Sequence, residues 1–586
     1  MKNKIIIIKQ VPLLISILAL FAVLYELGFN HNTYERELLQ SVYLAALCIG
    51  LASITVRYLF KNTRPKSNVL PFDILLVLFL IVLIFIDLEL LFANQFSFLH
   101  FLKARIWVYI ALILIFIREL ATSTFNFNRL TVNPAQLFIL SFLFIILLGT
   151  GILLLPNSTH TSISVIDALF TSTSAVCVTG LIVVDTGSFF TPFGQMTILM
   201  LIQLGGLGIM TFTSYFSFFF KTGSSYENQL LLSAMTNTEK LGEVFVTLKK
   251  IILITFIIEG LGAFLLFQSI DVALIPGFID RVFFSVFHSI SGFCNAGFST
   301  LPNNFYELAY RFNYPLHIII SFLIILGGIG FPIVFNLLSA VKNHLKNLFY
   351  HILGSKEHIH MYRIINVNTR IVLITTLILI VSGTVLFYVF EYNNTLAEHN
   401  QFGKIVTAFF GSVTTRTAGF NTVDNSALAI PTVMIVLLLM WIGASPGSTG
   451  GGIKTSTIAI AFLNFISIAK GKNKIEVFKR EIAQKSVNRA YAIITLSIGV
   501  IFLSVFGVSL FDRDKGLLNI SFECVSAFGT VGLSRGITAA LSNSSKLIII
   551  LTMFVGRVSM LTILIALFKK MALHEYRYPT EEVLIN

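Results

Sequence analysis

The chain has 586 residues, of which 56% are hydrophobic and only 12% are charged, and it carries a net charge of +13. Soluble globular proteins have about a quarter of charged residues, so this composition excludes a soluble domain. Apolar runs recur from end to end, and a membrane-spanning helix needs about 20 apolar residues. We therefore predict an all-α polytopic membrane protein. The positive charge concentrates in particular loops, which indicates cytoplasmic loops and not a nucleic-acid surface.

Residues 1–129 form a predicted N-terminal transmembrane extension of about four helices, near 11–28, 39–60, 69–93 and 104–119. The first run lacks a signal-peptide cleavage site, so we expect it to be retained. An inside loop is indicated by the basic residues Arg57, Lys61, Arg64 and Lys66. An even number of spans leaves the N-terminus cytoplasmic. The sequence gives this extension no clearer role than packing or assembly.

Four similar segments follow: VCVTGL at 176–181, FCNAGF at 293–298, TRTAGF at 415–420 and FGTVGL at 528–533. Their glycines are spaced by 117, 122 and 113 residues, and are Gly180, Gly297, Gly419 and Gly532. A phenylalanine stands ten residues before each glycine: Phe170, Phe287, Phe409 and Phe522. Six residues before the glycines stand Ser174, Ser291, Val413 and Ser526. Each glycine also follows an apolar stretch of about 12 residues, which as a helix reaches only about halfway across a bilayer.

A full span is predicted on either side of each half-helix: 135–155 and 193–220, 246–268 and 314–341, 367–391 and 428–469, 490–511 and 546–568. The chain therefore divides into four pore repeats, at 130–222, 223–345, 346–472 and 473–586. Basic residues follow the second span of every repeat: Lys221, then Lys342, Lys346 and Lys356, then Lys470 onwards, then Lys569 and Lys570. All four repeats thus share one orientation, with external glycine loops and a cytoplasmic C-terminus.

The glycine loops are the predicted site of cation binding. Non-helical backbone at membrane depth is tolerated only where it is buried or lines a watery cavity. Four equivalent loops most simply surround one axis, where their carbonyls can replace the water shell of an alkali cation. We expect no transition-metal site. The candidate filter residues are Val178, Thr179, Gly180, Asn295, Ala296, Gly297, Thr417, Ala418, Gly419, Thr530, Val531 and Gly532.

Arg557 is a candidate gate because it lies near the middle of the last span. A charge at that depth is costly and indicates function by default. Gly556 lies 24 residues beyond its loop glycine, as Gly443 does, and Gly205 lies 25 beyond. Arg557 thus matches small residues elsewhere and would raise the barrier for a passing cation. The alternative is a buried ion pair with Glu523 or Glu259.

The segment GASPGSTGGGIKTST, residues 443–457, interrupts the second span of repeat three and is called the intramembrane loop below. Glycine disfavours helix by about 1 kcal/mol relative to alanine. A phosphate-binding reading fails, because Ile453 separates Gly452 from Lys454 and no strand precedes the segment. We predict a mobile gating loop, with a static break between helices as the alternative. The gate glycines are Gly447, Gly450, Gly451 and Gly452.

These repeats, with TSTSAVCVTGL, TTRTAGFNT, QLGGLGIMTF, ILGGIGFPI and GASPGSTGGGIKTST, resemble the Trk/Ktr/HKT superfamily of potassium transporters over residues 130–570. The bacterial Ktr/Trk membrane subunit is the most similar branch. The resemblance implies potassium as the transported ion, a homodimer in the bacterial cytoplasmic membrane, and a cytosolic nucleotide-binding regulatory ring. It also implies that glycine at position 180 favours potassium, whereas serine there goes with sodium permeation. No bound cofactor is implied, and sodium coupling stays open.

Two other classes fit the sequence less well. A carrier with inverted repeats would show breaks in opposed orientations. A membrane enzyme would need convergent acid, base, nucleophile or metal ligands, which the spans lack, so we expect no enzyme. The four cysteines have no metal-binding spacing and are expected to be unpaired. With one glycine per loop, the filter is expected to be less selective than that of a tetrameric potassium channel.

Overall fold

The computed structural model describes residues 2–59, 70–87, 104–122, 134–219, 244–352, 365–472, 474–558 and 563–564. Regular structure in these ranges is helical apart from one two-stranded hairpin. Six of the described helices are long and apolar enough to cross a membrane, or seven if one sharply bent pair counts as a span. The prediction of an all-helical polytopic membrane protein is therefore confirmed.

The first compact unit comprises Met1–Thr131 with Leu155–His160. Its helices are α1 (Lys2–Gly28), α2 (Thr33–Leu59), α3 (Leu70–Asp87) and α4 (Arg105–Thr122). Helix α1 packs against α2 and α4, and α2 packs against α3. The four helices coincide with the four predicted spans of the extension.

Buried ion pairs join the helices of this first unit. Arg57 pairs with Glu119, and the Nε of Arg118 lies 2.5 Å from Oδ1 of Asp73. All four side chains are buried. A charge inside a membrane-spanning bundle is tolerated when it is paired in this way. Our reading of Arg57 as a loop marker is therefore wrong, because it stabilises a contact between α2 and α4.

The second unit comprises Val132–Leu154 and Thr161–Asn586. Each repeat contains a first long helix: α5 (Pro134–Leu153), α9 (Val244–Ser269), α14 (Val367–Glu391) and α18 (Gln484–Phe511). A shorter helix follows, and these four are the pore helices: α6 (Val165–Val176), α10 (Phe278–Cys294), α15 (Gln401–Thr414) and α19 (Leu517–Gly529). Each repeat then returns through α8 (Pro192–Phe219), α12 (Tyr314–Ile329), α16 (Ile430–Trp441) or α20 (Asn543–Val558). One-turn helices α7 (Thr186–Phe189) and α11 (Leu308–Arg311) lie in the connections.

The repeats pack in a closed circle. The returning helix of each repeat contacts the pore helix of the next, so that α8 meets α10, α12 meets α15 and α16 meets α19. The circle closes where α20 of repeat four packs against α6 of repeat one. At this junction Nζ of Lys546 lies 2.7 Å from Oδ1 of Asp167. Four short pore helices therefore surround one centre.

Two of the returning segments are broken. In repeat three, α16 ends at Trp441 and the intramembrane loop intervenes before α17 (Thr455–Ala469), as predicted. In repeat two, α12 ends at Ile329, and α13 (Phe331–Ile352) leaves it at 101°. The predicted single span 314–341 is therefore wrong. The chain turns at Gly330, whose φ of +93° suits glycine and few other residues.

The basic segment after α17 forms a small exposed hairpin of β1 (Glu476–Val477) and β2 (Arg480–Glu481). Lys472 and Lys474 pair with Glu476 and Glu481 at 3.2 and 3.0 Å. Several charges used to predict orientation lie outside the described residues, namely Lys61, Arg64, Lys66, Lys221, Lys356, Lys569 and Lys570.

Candidate functional site

Each pore helix ends immediately before its glycine loop, and a hydroxyl of the helix holds the loop. Ser174 accepts a hydrogen bond from the backbone N–H of Gly180 at 3.1 Å and donates to the carbonyl of Leu181 at 2.7 Å. Ser291 donates in the same way to the carbonyl of Phe298 at 2.7 Å. In repeat four the N–H of Gly532 donates to the hydroxyl of Ser526 at 3.1 Å. The serines six residues before these glycines thus fix the loop backbone.

Repeat three has a different register. There Thr414 donates to the carbonyl of Phe420 at 2.6 Å, and Phe410 is 1% exposed while Phe409 is only half-buried. The assignments of Phe409 and Val413 as the repeat-three equivalents are therefore wrong by one residue. The cause is a shorter exit from the pore helix: Ala418 N–H bonds the carbonyl four residues back, whereas the other loops bond five residues back.

Each loop has two backbone positions in the left-handed region. The glycines have φ of +70° to +91°, as expected for residues without a Cβ. Two residues earlier the φ values are +49° to +74°, although the residues are Val178, Asn295, Thr417 and Thr530. Left-handed geometry costs an L-residue about 1–2 kcal/mol. The number of glycines therefore underestimates the number of special backbone positions, which is the basis on which we predicted a sparse filter.

The four glycine loops contact one another in sequence order and close into a ring. A Cβ built on Gly180 would lie 3.1 Å from the Cα of Gly297, and one on Gly297 would lie 3.0 Å from Gly419. The same contact runs from Gly419 to Gly532 at 3.1 Å and from Gly532 back to Gly180 at 3.0 Å. Each built Cβ would also clash with a backbone carbonyl oxygen of the next loop. The ring thus requires glycine both for its dihedral angles and for its close approach.

A cavity of about 440 Å³ lies over the ring, and all four loop glycines line it. Its wall in repeat four is held by Glu523, which is 1% exposed and accepts bonds from the hydroxyl of Ser534 at 2.7 Å and the N–H of Arg535 at 3.0 Å. The guanidinium of Arg535 in turn donates to the carbonyls of Asn425 and Ser426 in repeat three. Glu523 therefore supports this vestibule and does not pair with Arg557.

On the other side of the ring, a glycine of each returning helix packs on the end of a pore helix. A Cβ on Gly205, Gly327 or Gly556 would clash with the carbonyl of Val176, Phe293 or Phe528. Gly327 lies 30 residues beyond Gly297, compared with 24 or 25 in the other repeats, so counting missed it. The residues that follow these glycines, together with the matching residue of repeat three, form the next layer: Gly206, Gly328, Ala444 and Arg557.

Arg557 is 4% exposed, and its guanidinium bonds backbone carbonyls. It donates to the carbonyl of Thr449 in the intramembrane loop and to that of Gly205 at 2.7 Å. Among the described residues no carboxylate lies within ion-pairing distance of it, and Glu259 instead accepts from Gln203 at 3.1 Å. The ion-pair alternative is therefore wrong for this part of the chain.

The intramembrane loop lies directly against the ring. The N–H of Gly451 donates to Oγ1 of Thr530 at 3.0 Å, and a Cβ on Gly450 would clash with Oγ1 of Thr417. Gly447 and Gly452 have φ of +72° and +65°. All four predicted gate glycines therefore lie in the loop where either contact or dihedral angle favours glycine.

Lys454 is a feature that the sequence reasoning missed. Its ammonium group donates to the carbonyl of Gly450 at 2.6 Å and lies 3.4 Å from that of Gly451. The loop thus presents carbonyl oxygens to a positive charge beneath the ring. A lysine three residues after a glycine in a non-helical membrane segment is a signal that could have found it.

The other candidate chemistry is sparse. All four cysteines are unpaired. In the part of the chain that the structure describes, no group of three histidine, cysteine, aspartate or glutamate side chains is placed to hold a metal ion. The polar groups that converge at the centre are therefore backbone carbonyls and two cations.

Comparison with known proteins agrees with this architecture. The TrkH family, described as cation transport protein, matches residues 113–576. The Ktr system potassium uptake protein B of Bacillus subtilis is 36% identical over 77% of this chain and 96% of its own length. The potassium/sodium uptake protein NtpJ of Enterococcus hirae is 35% identical over 78% of this chain and 98% of its own.

The crystal structure of the potassium transporter TrkH from Vibrio parahaemolyticus has the same fold. It superposes with a TM-score of 0.59, covers 90% of this chain and 97% of its own, and is 16% identical. The family match extends over most of the chain and includes all four glycine loops, the intramembrane loop and Arg557. The chain therefore belongs to the TrkH family of cation transport proteins.

Proposed function

We propose that this protein takes up potassium across the bacterial cytoplasmic membrane through the ring of four glycine loops. The observation that carries the proposal is the closed contact of Gly180, Gly297, Gly419 and Gly532, with a second left-handed residue in every loop. Carbonyls ordered around an axis can replace the hydration shell of an alkali cation. The C-terminal ends of the pore helices add partial negative charge.

The filter of this proposal consists of the loop backbone, residues 178–180, 295–297, 417–419 and 530–532. Potassium is the substrate, and the names of the Bacillus and Enterococcus relatives support it. The Enterococcus relative is named for sodium as well, so sodium is the appropriate competitor and a candidate coupling ion.

We assign the gate to the intramembrane loop and Arg557. The bond from Arg557 to the carbonyl of Thr449 holds the loop beneath the ring, and the bond from Gly451 to Thr530 joins the loop to the filter. A cationic side chain here opposes passage of a second cation. Opening then requires the loop to leave both partners.

The assembly is part of the proposal. Four pore repeats with limits near 130, 222, 345 and 472 share one orientation, with both termini in the cytoplasm. The resemblance to the Ktr/Trk membrane subunits supports a homodimer regulated by a cytosolic nucleotide-binding ring. The basic hairpin after α17 then faces the cytoplasm.

The proposal is tested with purified protein in liposomes, by uptake of ⁸⁶Rb⁺ with sodium as competitor. Gly180→Ser places a Cβ against the carbonyl of Ala296 and disturbs the contact between loops one and two. We expect the natural chain to prefer rubidium and the variant to admit sodium. Gly471→Ser is the matched control, because Gly471 also has a positive φ but has open space around it. Unchanged selectivity in a folded Gly180→Ser variant would mean that the ring is scaffold.

A further inference from the structure

Helix α13 runs across the direction of α12. Helix α12 follows the loop that carries Tyr306 of the vestibule wall, and its 16 residues extend about 24 Å at 1.5 Å each. The hydrocarbon core is about 30 Å thick, so α12 ends about 6 Å short of the opposite boundary. Since α13 leaves at 101°, it runs close to the membrane plane at that depth.

The side chains of α13 are distributed as on an interfacial helix. An apolar stripe is exposed at 50–61%, and consists of Leu338, Val341, Leu345 and Phe349. Lys342 and Lys346 are exposed along one edge of this stripe. Helices with an apolar stripe flanked by lysines lie about 5–10 Å into the boundary between headgroups and acyl chains. The depth deduced from α12 falls in that range.

A second contact places α13 at the same level. Oδ1 of Asn336 accepts a hydrogen bond from the N–H of Asn366 at 3.2 Å, and Asn366 directly precedes α14. The start of a membrane-crossing helix lies at the bilayer boundary. Helix α13 is therefore next to the boundary through which α14 enters.

The turn between α12 and α13 is bonded to the intramembrane loop. A helix break leaves carbonyls free at one end and N–H groups free at the other. The carbonyl of Gly328 accepts from Ser445 N–H at 3.0 Å, and Phe331 N–H donates to the carbonyl of Gly447 at 3.0 Å. The loop thus satisfies both helix ends, and a displacement of α13 is transmitted to it through backbone bonds.

We propose that α13 binds the anionic headgroups of the inner leaflet through Lys342 and Lys346, and that this binding holds the intramembrane loop in its closed position. The gating part rests on the proposed function, whereas the lipid-binding part does not. Each lysine near an anionic surface strengthens binding about fivefold. The partner is the bilayer itself, because the exposed stripe is apolar and lies at interfacial depth.

Lipid binding is tested by labelling the stripe in the full-length protein. Leu345→Cys in a Cys48→Ser background carries a nitroxide, since the other three cysteines are buried. We expect the label to be accessible to oxygen and shielded from a water-soluble nickel complex. A label at Lys472→Cys in the exposed hairpin is the aqueous control. A label at 345 that is as accessible to nickel as the one at 472 overturns the proposal.

Coupling is tested by ⁸⁶Rb⁺ uptake in liposomes of phosphatidylcholine with or without phosphatidylglycerol. We expect anionic lipid to lower the flux of the natural chain about fivefold or more, and Lys342→Gln with Lys346→Gln to remove this dependence. Lys472→Gln with Lys474→Gln is the matched control. Equal lipid dependence in both double variants overturns the coupling. Absence of rubidium flux in every lipid, with the stripe in the interface, would refute the proposed function and leave the lipid site standing.

Discussion

Removal of Arg557 is predicted to open the pore. The guanidinium makes two charge-assisted hydrogen bonds to backbone carbonyls, one of them to Thr449 of the intramembrane loop. A hydrogen bond to a charged group contributes about 1.5–3 kcal/mol. Loss of the Thr449 bond alone should therefore shift the balance between closed and open loop by roughly 10- to 150-fold, since about 1.4 kcal/mol is tenfold.

The assay is ⁸⁶Rb⁺ uptake by liposomes that contain equal amounts of natural chain, Arg557→Ala or Arg557→Lys. Lysine keeps the charge but cannot bond both carbonyls with a planar group, so we expect an intermediate flux. Arg513→Ala is the control, because Arg513 is an exposed arginine of the same repeat. Size-exclusion profiles and thermal unfolding in detergent establish that each variant is folded. An Arg557→Ala protein that is folded and has unchanged flux would refute the reasoning.

Two further predictions concern the ring. Ser174→Ala removes the bonds to Gly180 and Leu181, which should cost about 1–3 kcal/mol, lower the melting temperature and weaken rubidium preference, whereas Ser188→Ala should do neither. If Ser174→Ala melts and selects like the natural chain, the hydroxyl does not support the loop. Asp167→Asn and Lys546→Met should show a coupling of about 1 kcal/mol in a double-mutant cycle of thermal unfolding, diminishing with salt. Additive effects at low salt would show that the pair does not join repeats one and four.

The sequence was sufficient for the helices and the ring because both depend on composition and spacing. Full spans are specified by apolar length, and the four glycines by a close approach that no other residue permits. The register of repeat three was not predictable from the glycine alone. One residue fewer at the end of the pore helix moves Phe410 and Thr414 into the places that Phe409 and Val413 were expected to hold.

The bend at Gly330 was missed for a different reason. The run from Tyr314 to Val341 is long and mainly apolar, so length and hydropathy are satisfied by a continuous helix. Its break is favoured by tertiary contacts, because the intramembrane loop supplies partners for the exposed helix ends. The partners of Arg557 were missed likewise, since backbone carbonyls leave no mark in a sequence.

The layer beneath the ring also bears on why the four repeats share one polypeptide. Were the pore built from four identical subunits, any residue facing its axis would occur four times. An arginine there would bring four positive charges together at short range, and their mutual repulsion would oppose assembly. Fusion of the repeats into one gene lets a single copy diverge. One arginine can then stand opposite Gly206, Gly328 and Ala444, as a stopper with three small neighbours that leave it room to move.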